Sequence, residues 1–567
     1  MTTLKTTDVL IVGGGPAGLM LAIELGCRGV HCAVLEANVA GPSFPKANAT
    51  SSRTMEHYRR RGFSNKIRAL GLAADYPQDI VYCTTLSGEE LTRFAIPSRT
   101  AALNRSSFGD YGETAWPTPE LPHRGQQMLI EPVLRQQALS YPSVRLLLGY
   151  CADSITQMPL SDSAQNRIVA TGAMLPGQER FCIEARYVVG CDGPRSLVRK
   201  SCSIAYSGQS EEARDFFGGQ MLSIYFRSND LYEVLNKNPA WMYWAVNAAQ
   251  RGLLVAIDGV SEFLFCIQLR PGQTSETVDF KSAIFAATGA TFHFELISTA
   301  SWNAGFTLVA ERFRHVNAFI AGDAAHLFTP TGGMGYNTSV DDAVNLGWKL
   351  AAVIQGWADE SLLDSYELER KPIAHRNTTF ARTMADSIGS IAIAPNIEAD
   401  TTEAALLRAE LGKALNCHVI SEFNIPGLQL GLRYEHSPIV ATDSAPALDD
   451  HPNNYIANAR PGARAPHIWI DQQSILDLLG NDYSLLCFED SRADDVEQWR
   501  SAARHLGMPL EVVCCDDDAA RALYDAPCVL IRPDHHIAWR GASSADARAV
   551  LAMACARPIH SAQTHLA

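Results

Sequence analysis

The hydrophobic pattern near the start of the chain predicts a strand, a tight turn and a helix in immediate succession. The β-branched run Asp8–Val12 meets three consecutive glycines, and apolar positions then recur at helical spacing over 19–26. A second apolar run, over 32–35, ends at the acidic residue Glu36. This order of elements is typical of a βαβ unit built on a parallel sheet.

Apolar runs of strand length recur in the middle of the chain and again towards its end. The predicted strands lie over 186–190, 221–226, 253–257, 263–269, 318–321, 484–488, 510–514, 528–531 and 537–540. Helical spacing predicts further helices over about 338–355, 404–415 and 496–506. The last two strands are close enough in sequence to form a hairpin.

The glycine turn after the first strand carries the first chemical prediction. Gly13, Gly15 and Gly18 have the GxGxxG spacing, in which the glycines permit the tight turn, the approach of a pyrophosphate and the packing of the helix on the sheet. The helix N-terminus offers free amides to the phosphates, and an acid about 20 residues on can bind a ribose hydroxyl. The predicted dinucleotide-binding residues are Gly13, Gly15, Pro16, Ala17, Gly18 and Glu36.

Two later motifs favour FAD as the dinucleotide. The strand over 186–190 runs into Asp192-Gly193, and the strand over 318–321 runs into Gly322-Asp323. Asp323 at a strand end can hold a ribityl hydroxyl, and the glycine-rich loop that follows can bring backbone amides close to a flavin ring. The start of the next helix can stabilise negative charge on the reduced flavin.

Composition narrows the class of protein. Hydrophobic residues make up 47% of the 567 residues and charged residues 19%, so global disorder is excluded. The net charge of −14 disfavours a broad nucleic-acid surface, and no apolar run approaches the ~20 residues of a membrane span. The 14 cysteines include no CxxC pair, and the histidines have no metal-ligand spacing. We expect a cytoplasmic protein without a metal.

The three motifs together resemble the class A flavoprotein monooxygenases of the p-hydroxybenzoate hydroxylase type. The resemblance covers about the first 390 residues, and the segment 322–351 is similar to the family's Gly-Asp signature along its whole length. The segments 46–56 and 123–134 resemble two further FAD-binding segments of the phenol-hydroxylase and 2-hydroxybiphenyl-hydroxylase branch.

This resemblance implies an α/β fold in which a Rossmann-like FAD-binding domain is interleaved with a mixed-sheet substrate domain. The FAD-binding domain is expected over 1–78, 122–199 and 312–395, and the substrate domain over 79–121 and 200–311. A helical bridge over 396–455 and a thioredoxin-like C-terminal domain over 456–567, without CxxC, complete the expected order.

The resemblance also implies the reaction. NAD(P)H reduces FAD, oxygen adds to give a C4a-hydroperoxide, and a small aromatic ring receives the terminal oxygen atom. A homodimer is expected. Beyond the first glycine motif, the positions that match the family's FAD contacts are Lys46, Arg53, Gln127, Asp192, Gly193, Gly322, Asp323, Pro330, Gly335, Tyr336 and Asn337.

Three residues are predicted to act in catalysis. Pro330 matches the family proline at the peroxide face of the flavin. Asp110 lies where the branch places an acid near its substrate, and Tyr243 is a second candidate for activating a phenol. The chain departs from the branch at Asn48, which replaces a histidine, and at Lys46, which replaces an arginine and loses its bidentate fork.

Two other functions stay open from the sequence. The same fold also supports Baeyer–Villiger oxygenation of a ketone and oxygenation of a polycyclic quinone. A non-oxygenating flavin protein that sequesters a reactive intermediate is the alternative from another class. A flavin halogenase is disfavoured because the chain has no Gly-Trp-x-Trp-x-Ile-Pro segment.

Overall fold

The computed structural model describes residues 5–103, 116–159, 166–210, 214, 216–270, 272–443, 446, 448–488 and 493–558. The strands of this part of the chain are β1 Lys5–Val12, β2 Cys32–Glu36, β3 Ile80–Cys83, β4 Glu90–Phe94, β5 Val144–Leu148, β6 Tyr150–Pro159, β7 Asn166–Met174, β8 Glu179–Gly190, β9 Tyr206–Gln209, β10 Gln220–Arg227, β11 Met242–Ala245, β12 Gly252–Ala256, β13 Glu262–Gln268, β14 Glu295–Asn303, β15 Thr307–Ala310, β16 Arg314–His315, β17 Ala318–Ile320, β18 His326–Leu327, β19 Trp469–Ile470, β20 Gln473–Ser474, β21 Tyr483–Cys487, β22 Leu510–Cys514, β23 Cys528–Ile531 and β24 Ile537–Gly541.

Helices connect and cover these strands. The α-helices are α1 Pro16–Gly26, α2 Ser52–Arg60, α3 Ser64–Arg68, α4 Arg99–Leu103, α5 Gln127–Leu139, α6 Leu197–Ser201, α7 Leu231–Leu235, α8 Phe280–Thr288, α9 Met334–Ile354, α10 Asp364–Ser390, α11 Thr402–Phe423, α12 Pro426–Leu430, α13 Ala493–Leu506, α14 Asp518–Tyr524 and α15 Ala547–Ala554. Short 3-10 helices lie at Gly322–Ala324, Thr331–Gly333, Glu360–Leu363 and Ile475–Leu478.

The first sheet confirms the predicted βαβ unit. Its strands run in the order β16-β17-β8-β1-β2-β5, and β1 pairs in parallel with both β2 and β8. Helix α1 connects β1 to β2 and packs against α9 and α5. Because both faces are covered, the strand residues Val9 to Ile11 are fully buried. The carboxyl ends of β1 and β8 therefore lie side by side, with Val12 opposite Gly190.

The second sheet is mixed, as expected. Its seven strands run in the order β14-β10-β13-β12-β11-β3-β4, with β11 and β3 parallel and the other pairs antiparallel. The predicted strands over 221–226, 253–257 and 263–269 are confirmed as β10, β12 and β13, each within one residue.

Helix α11 extends the body of the protein across the segment that the sequence suggested to be a bridge. It is longer than the predicted 404–415, and it packs against β3, β4 and α10. Leu411, Leu415 and Val419 are buried in the core of the second sheet. Burial of apolar surface contributes about 25 cal/mol per Å² and holds the helix there. This segment therefore contributes to the core of the second sheet.

The C-terminal sheet runs in the order β22-β21-β23-β24, with β21 and β22 parallel and the other neighbours antiparallel. Its core is continuous with that of the first sheet, since Tyr483 and Trp499 belong to the same apolar cluster as β1. Buried ion pairs reinforce the contact: Arg532 donates to both carboxylate oxygens of Glu369 on α10, at 2.7 and 2.8 Å. No helix in the described ranges is both long and apolar enough to cross a membrane.

Candidate functional site

The glycine turn between β1 and α1 is shaped by contacts that a side chain would block. Gly13 has a φ of +107°, and a Cβ there would lie 2.2 Å from the carbonyl oxygen of Cys191. A Cβ at Gly18 would lie 2.0 Å from the carbonyl oxygen of Gly13. Both distances are far inside van der Waals contact, so the turn and its packing require glycine at these two positions.

Gly15 differs from its neighbours because the protein itself does not fill the space beside it. A Cβ at Gly15 would meet no atom within 4 Å. Gly15 is the N-cap of α1 and has no side-chain cap. Pro16 has no N–H, so the first free amide of the helix is that of Ala17, at this open end. A helix N-terminus with free amides and an uncovered approach is suited to a phosphate group.

Glu36 lies at the rim of this turn. One carboxylate oxygen accepts the Gly14 amide at 2.8 Å and the other accepts the Asn38 amide at 2.7 Å. These bonds fix the direction of the carboxylate while each oxygen keeps a second lone pair. The contact ties the end of β2 to the glycine turn, where an adenosine ribose is expected.

Two aspartates lie beside the same edge of the first sheet. Asp192 Oδ2 accepts the Leu197 amide at 2.6 Å, while its buried Oδ1 has no partner among the described residues. Burial raises the pKa of the Asp192 carboxyl group. Gly193, with a φ of +76°, follows at the turn. A buried carboxylate oxygen without a partner is costly unless a ligand supplies a donor.

Asp323 follows β17 at the neighbouring position of this edge. Burial raises the pKa of its carboxyl group, and His326 and Lys46 oppose that rise. Its side chain nevertheless keeps exposed surface. A group that protein surrounds but that still reaches solvent faces a cleft, so Asp323 is accessible to a bound molecule.

Lys46 and Gln127 approach the cleft from the other side. Lys46 is exposed. Burial raises the pKa of both Asp323 and Glu131, and the positive charge of Lys46 opposes the rise at each, so its ammonium group lies near both carboxyl groups. Gln127 begins α5; its amide binds the Ala47 carbonyl at 2.7 Å and its side chain donates to Glu131 at 2.9 Å. The segment around Lys46 is thereby fixed to the start of α5.

The loop before α9 brings backbone close to the cleft. Gly332 and Gly333 both have left-handed φ, at +68° and +62°. The Asn337 side chain donates to the Gly333 and Ala49 carbonyls and accepts the Ser51 amide at 2.8 Å. Asn337 therefore joins the two loops that flank the cleft. Helix α9 begins at Met334, four residues before the predicted start, because the glycine loop itself enters the helix.

Tyr336 and Gly335 complete the first turn of α9. The Tyr336 hydroxyl lies 2.5 Å from the Tyr58 hydroxyl. Burial raises the pKa of Tyr336, and a Cβ at Gly335 would be in ordinary contact with Phe328. Pro330 is exposed at the start of the loop. These residues stay predicted flavin neighbours.

A buried network of ion pairs and hydrogen bonds centred on Asp342 holds the Gly-Asp loop at 322–326. Asp342 on α9 accepts from His326 Nε2 at 2.6 Å, from Arg370 Nε at 2.7 Å and from the Gly322 amide at 3.2 Å. Neighbouring His326 and Arg370 outweigh the burial of Asp342 and lower its pKa. Asp342 lies in the segment 322–351 that resembles the family's Gly-Asp signature, but the sequence predicted no role for it.

Four aromatic side chains pack together at β3 and β11 of the second sheet. Tyr82 and Trp244 stack at 5.4 Å between ring centroids, and Phe216 and Phe217 pack edge-on against Trp244 at 5.9 and 5.4 Å. We call these four residues the aromatic wall. Phe217 has a φ of +55°, which is a strained conformation for a bulky residue. Strained backbone conformations are concentrated at functional sites.

The structure separates some predicted residues from this arrangement. Tyr243 neighbours Trp244 on β11 and so points to the opposite face of the sheet, where its hydroxyl accepts the Ala240 amide at 2.7 Å. Arg53 donates to Glu56 and to the Asp534 carbonyl of the C-terminal sheet, so it fixes α2 to that domain. Asp110 lies outside the described residues.

The cleft fits FAD. It combines an open helix N-terminus at Gly15, an acid for a ribose, an unpartnered buried oxygen on Asp192 and a solvent-reaching Asp323 at adjoining strand ends. Ligands of open α/β sheets bind at this carboxyl edge. The fold and site define a dinucleotide-binding flavoprotein of the Rossmann-like type.

Comparison with known proteins gives the family. A model described as an FAD binding domain matches residues 6–381, and one described as the C-terminal region of aromatic-ring hydroxylases matches 458–560. The FAD-dependent monooxygenase apdD of Emericella nidulans is 29% identical over 95% of this chain and 88% of its own. The 2,4-dichlorophenol 6-monooxygenase of Cupriavidus pinatubonensis is 28% identical over 97% of this chain and 96% of its own.

A solved structure agrees over the whole body. The rebeccamycin biosynthetic enzyme RebC with reduced flavin has a TM-score of 0.85 and 30% identity, covering 98% of this chain and 99% of that one. The chain belongs to the class A flavin-dependent aromatic hydroxylases. It is an FAD-dependent aromatic monooxygenase, and NAD(P)H is the co-substrate typical of these enzymes.

Proposed function

We propose that this enzyme hydroxylates a phenolic or closely related electron-rich ring, with NAD(P)H as reductant and O2 as oxidant. The observation that carries the proposal is the position of Glu422 of α11 between the glycine loop before α9 and the aromatic wall. Glu422 accepts the Gly332 amide at 2.8 Å. Burial raises the pKa of Tyr82 on the wall, and the charge of Glu422 adds to that rise. An aromatic substrate held by this wall lies beside the flavin-facing loop.

FAD supplies the redox chemistry when it is bound, by taking a hydride from NAD(P)H and delivering electrons to O2. The chain's own residues hold and orient the reactants. The amides at the start of α1 and the Glu36 carboxylate bind the diphosphate and ribose, and Asp323 binds the ribityl chain. The amino end of α9 presents its positive dipole end to the electron-rich edge of the ring system.

The aromatic wall also excludes water. Tyr82, Trp244, Phe216 and Phe217 are all less than 5% exposed, so little water reaches their rings. Such rings can hold an aromatic substrate by stacking and edge-on contacts. Dry surroundings matter because water diverts the activated oxygen to hydrogen peroxide. Pro330 is proposed to line the reacting face of the flavin.

Activation of the phenol is assigned to two groups by prediction. Asp110 is proposed to accept the hydroxyl proton or its hydrogen bond. Tyr243 is the weaker candidate, because its hydroxyl lies on the face of β11 that points away from the wall and is already bonded to Ala240.

A substrate screen tests the function. Purified holoenzyme would be mixed with NADH or NADPH and a panel of phenols, hydroxybiphenyls, hydroxyphenylpropionates, cyclic ketones and polycyclic quinones. We expect at least one phenol to stimulate NAD(P)H oxidation and to yield a product heavier by one oxygen atom. An ester or lactone product from a ketone would replace hydroxylation by Baeyer–Villiger chemistry.

The other outcomes separate the alternatives. Hydroxylation confined to polycyclic quinones would support the alternative function as a polycyclic quinone oxygenase. Tight flavin binding with no turnover of any member of the panel would support a protein that sequesters an intermediate. A catalase-coupled control measures how much oxidation ends as hydrogen peroxide, which distinguishes true hydroxylation from uncoupled oxidation.

The domain organisation is also proposed here. The C-terminal order β22-β21-β23-β24, with α13 joining the parallel pair and α15 following the hairpin, supports a thioredoxin-like domain over 456–567. We propose interleaved FAD and substrate segments with the boundaries that the sequence predicts. A homodimer is proposed, and light scattering after gel filtration of the holoenzyme would test it.

A further inference from the structure

His418 and Glu422 form a buried acid–base pair that no part of the mechanism above uses. They are one helical turn apart on α11 and so lie on the same face. His418 Nε2 is 2.9 Å from Glu422 Oε2, and both side chains are no more than 4% exposed. His418 Nδ1 lies 3.0 Å from the Ser387 hydroxyl of α10, which fixes the ring. The pair is therefore held by two helices.

The pair adjoins the flavin-facing loop. Glu422 Oε1 accepts the Gly332 amide at 2.8 Å, and Gly332 is two residues after Pro330. The carboxylate is thus placed at the loop predicted to contact the reacting ring system. Its other oxygen, Oε2, faces His418 without hydrogen-bond geometry and has no hydrogen-bond partner among the described residues.

Polar atoms of the aromatic wall are left open next to the pair. The Tyr82 hydroxyl and the Trp244 indole nitrogen are buried, and neither has a hydrogen-bond partner in the described part of the chain. Each buried polar atom without a partner costs about 1–3 kcal/mol. The four atoms, two on α11 and two on the aromatic wall, are therefore available to a polar aromatic molecule.

We propose that Glu422 accepts the hydrogen bond of the substrate's ring hydroxyl when the substrate binds, before the proton passes to the proposed base Asp110, and that His418 acts as a positioning residue for the carboxylate. This inference rests on the proposed hydroxylase function. A hydrogen bond to a carboxylate is shorter and stronger than one between neutral groups. It leaves the hydroxyl proton shared between two oxygens, so electron density on the ring rises without a full proton transfer. The nearby ring edge then faces the loop where oxygen is activated.

Matched ligand pairs test this contact. The dissociation constants of 2,4-dichlorophenol and 2,4-dichloroanisole, and of 2-naphthol and 2-methoxynaphthalene, would be measured by calorimetry on the holoenzyme. Each pair differs by the hydroxyl proton and one methyl group. The variants are Glu422→Gln, which keeps an oxygen for the Gly332 amide, and His418→Gln. Glu410→Gln, exposed on the same helix, is the matched control.

We expect the wild type and Glu410→Gln to bind each phenol at least 10-fold more tightly than its methyl ether. Glu422→Gln should bring the two constants of a pair within about 2-fold, and His418→Gln should reduce the preference partly, each with FAD content unchanged. Equal weakening of phenol and ether in Glu422→Gln would reduce the pair to a structural role and overturn the inference. So would a wild type that binds neither member or does not distinguish them.

The same experiment separates this inference from the proposed function. A wild type that prefers the phenols but yields no hydroxylated product would refute the hydroxylase proposal and leave the hydrogen bond standing. A wild type that hydroxylates a phenol while Glu422→Gln keeps the full preference would refute the role of Glu422 alone. If Glu422→Gln does not fold, the preference of His418→Gln decides.

Discussion

Alanine substitution should mainly destabilise the fold at Gly13 and mainly weaken FAD binding at Gly15. The structure gives the reason, because the two glycines are two residues apart in one turn but have different surroundings. At Gly13 a Cβ would lie 2.2 Å from a carbonyl oxygen, at a φ of +107°. At Gly15 it would meet nothing within 4 Å, and the φ of −78° is accessible to any residue.

The magnitudes follow from these surroundings. Gly13→Ala combines backbone strain of about 1–3 kcal/mol with overpacking of a similar size. Gly15→Ala costs about 0.5–1 kcal/mol at the N-cap and recovers about 0.4–1 kcal/mol from the lower entropy of the unfolded chain. Its apoprotein should therefore be nearly as stable as the wild type. Loss of one charge-assisted bond to the diphosphate, about 1.5–3 kcal/mol, would weaken FAD binding about 10- to 100-fold.

Two measurements check this pair. Thermal unfolding of the apoproteins should leave Gly15→Ala close to the wild type and lower the transition of Gly13→Ala markedly. Titration with FAD, followed by quenching of flavin fluorescence, should show the weakened binding of Gly15→Ala. If Gly15→Ala bound FAD with wild-type affinity, the open space beside Gly15 would not hold the diphosphate. If the Gly15→Ala apoprotein were strongly destabilised, that space would not be free of protein atoms.

Three further predictions concern the cleft, the domain contact and catalysis. Asp323→Ala should bind FAD about 10- to 100-fold more weakly through loss of one charged hydrogen bond; a fully yellow protein after gel filtration would contradict this. Glu369→Gln leaves Arg532 and Lys349 buried with a lost counter-charge and should cost roughly 3–5 kcal/mol. The charges of Arg532 and Lys349 outweigh the effect of burial and lower the pKa of the Glu369 carboxyl group to about 2. The stability that this carboxylate gives the fold is therefore complete above the ordinary carboxyl pKa and is lost as pH falls towards 2. Melting temperatures measured between pH 2 and 7 should fall less steeply with acidification in the variant than in the wild type. Equal slopes would argue against a stabilising ion pair at Glu369. Asp110→Ala should slow hydroxylation at saturating substrate while FAD loading is kept, and an unchanged rate of product formation would remove Asp110 from the mechanism.

The sequence was sufficient for features whose cause is local. The glycines at 13 and 18 were predictable because a tight turn and a close helix–strand approach exclude a Cβ whatever the rest of the chain does. The βαβ order and the strands of the second sheet followed from hydrophobic periodicity, which is a property of neighbouring positions. The boundaries moved where a loop merged into a helix, as at Met334.

Site residues that depend on distant partners were beyond the sequence. Tyr243 and Trp244 are adjacent aromatic residues that the sequence cannot rank as contributors to a substrate pocket. Only the register of β11 with β3 decides that Trp244 lies opposite Tyr82 in the aromatic wall. Arg53 matched a family FAD contact, yet its guanidinium is bonded to Glu56 and to a carbonyl of the C-terminal sheet. These side-chain positions depend on which distant segments of the chain pack together, and a local sequence pattern does not predict that packing.

The sequence by itself determined the class of this protein, because dinucleotide binding requires a short run of glycines, a helix start and an acid at nearby positions. The tertiary structure alone decided which groups lie beside the glycine loop before α9. His418 and Glu422 come from a helix about 80 residues after the Gly-Asp motif, in a segment whose composition indicated only a bridge. They reach Gly332 because the apolar face of α11 is buried in the second sheet, and that burial fixes where the carboxylate lies.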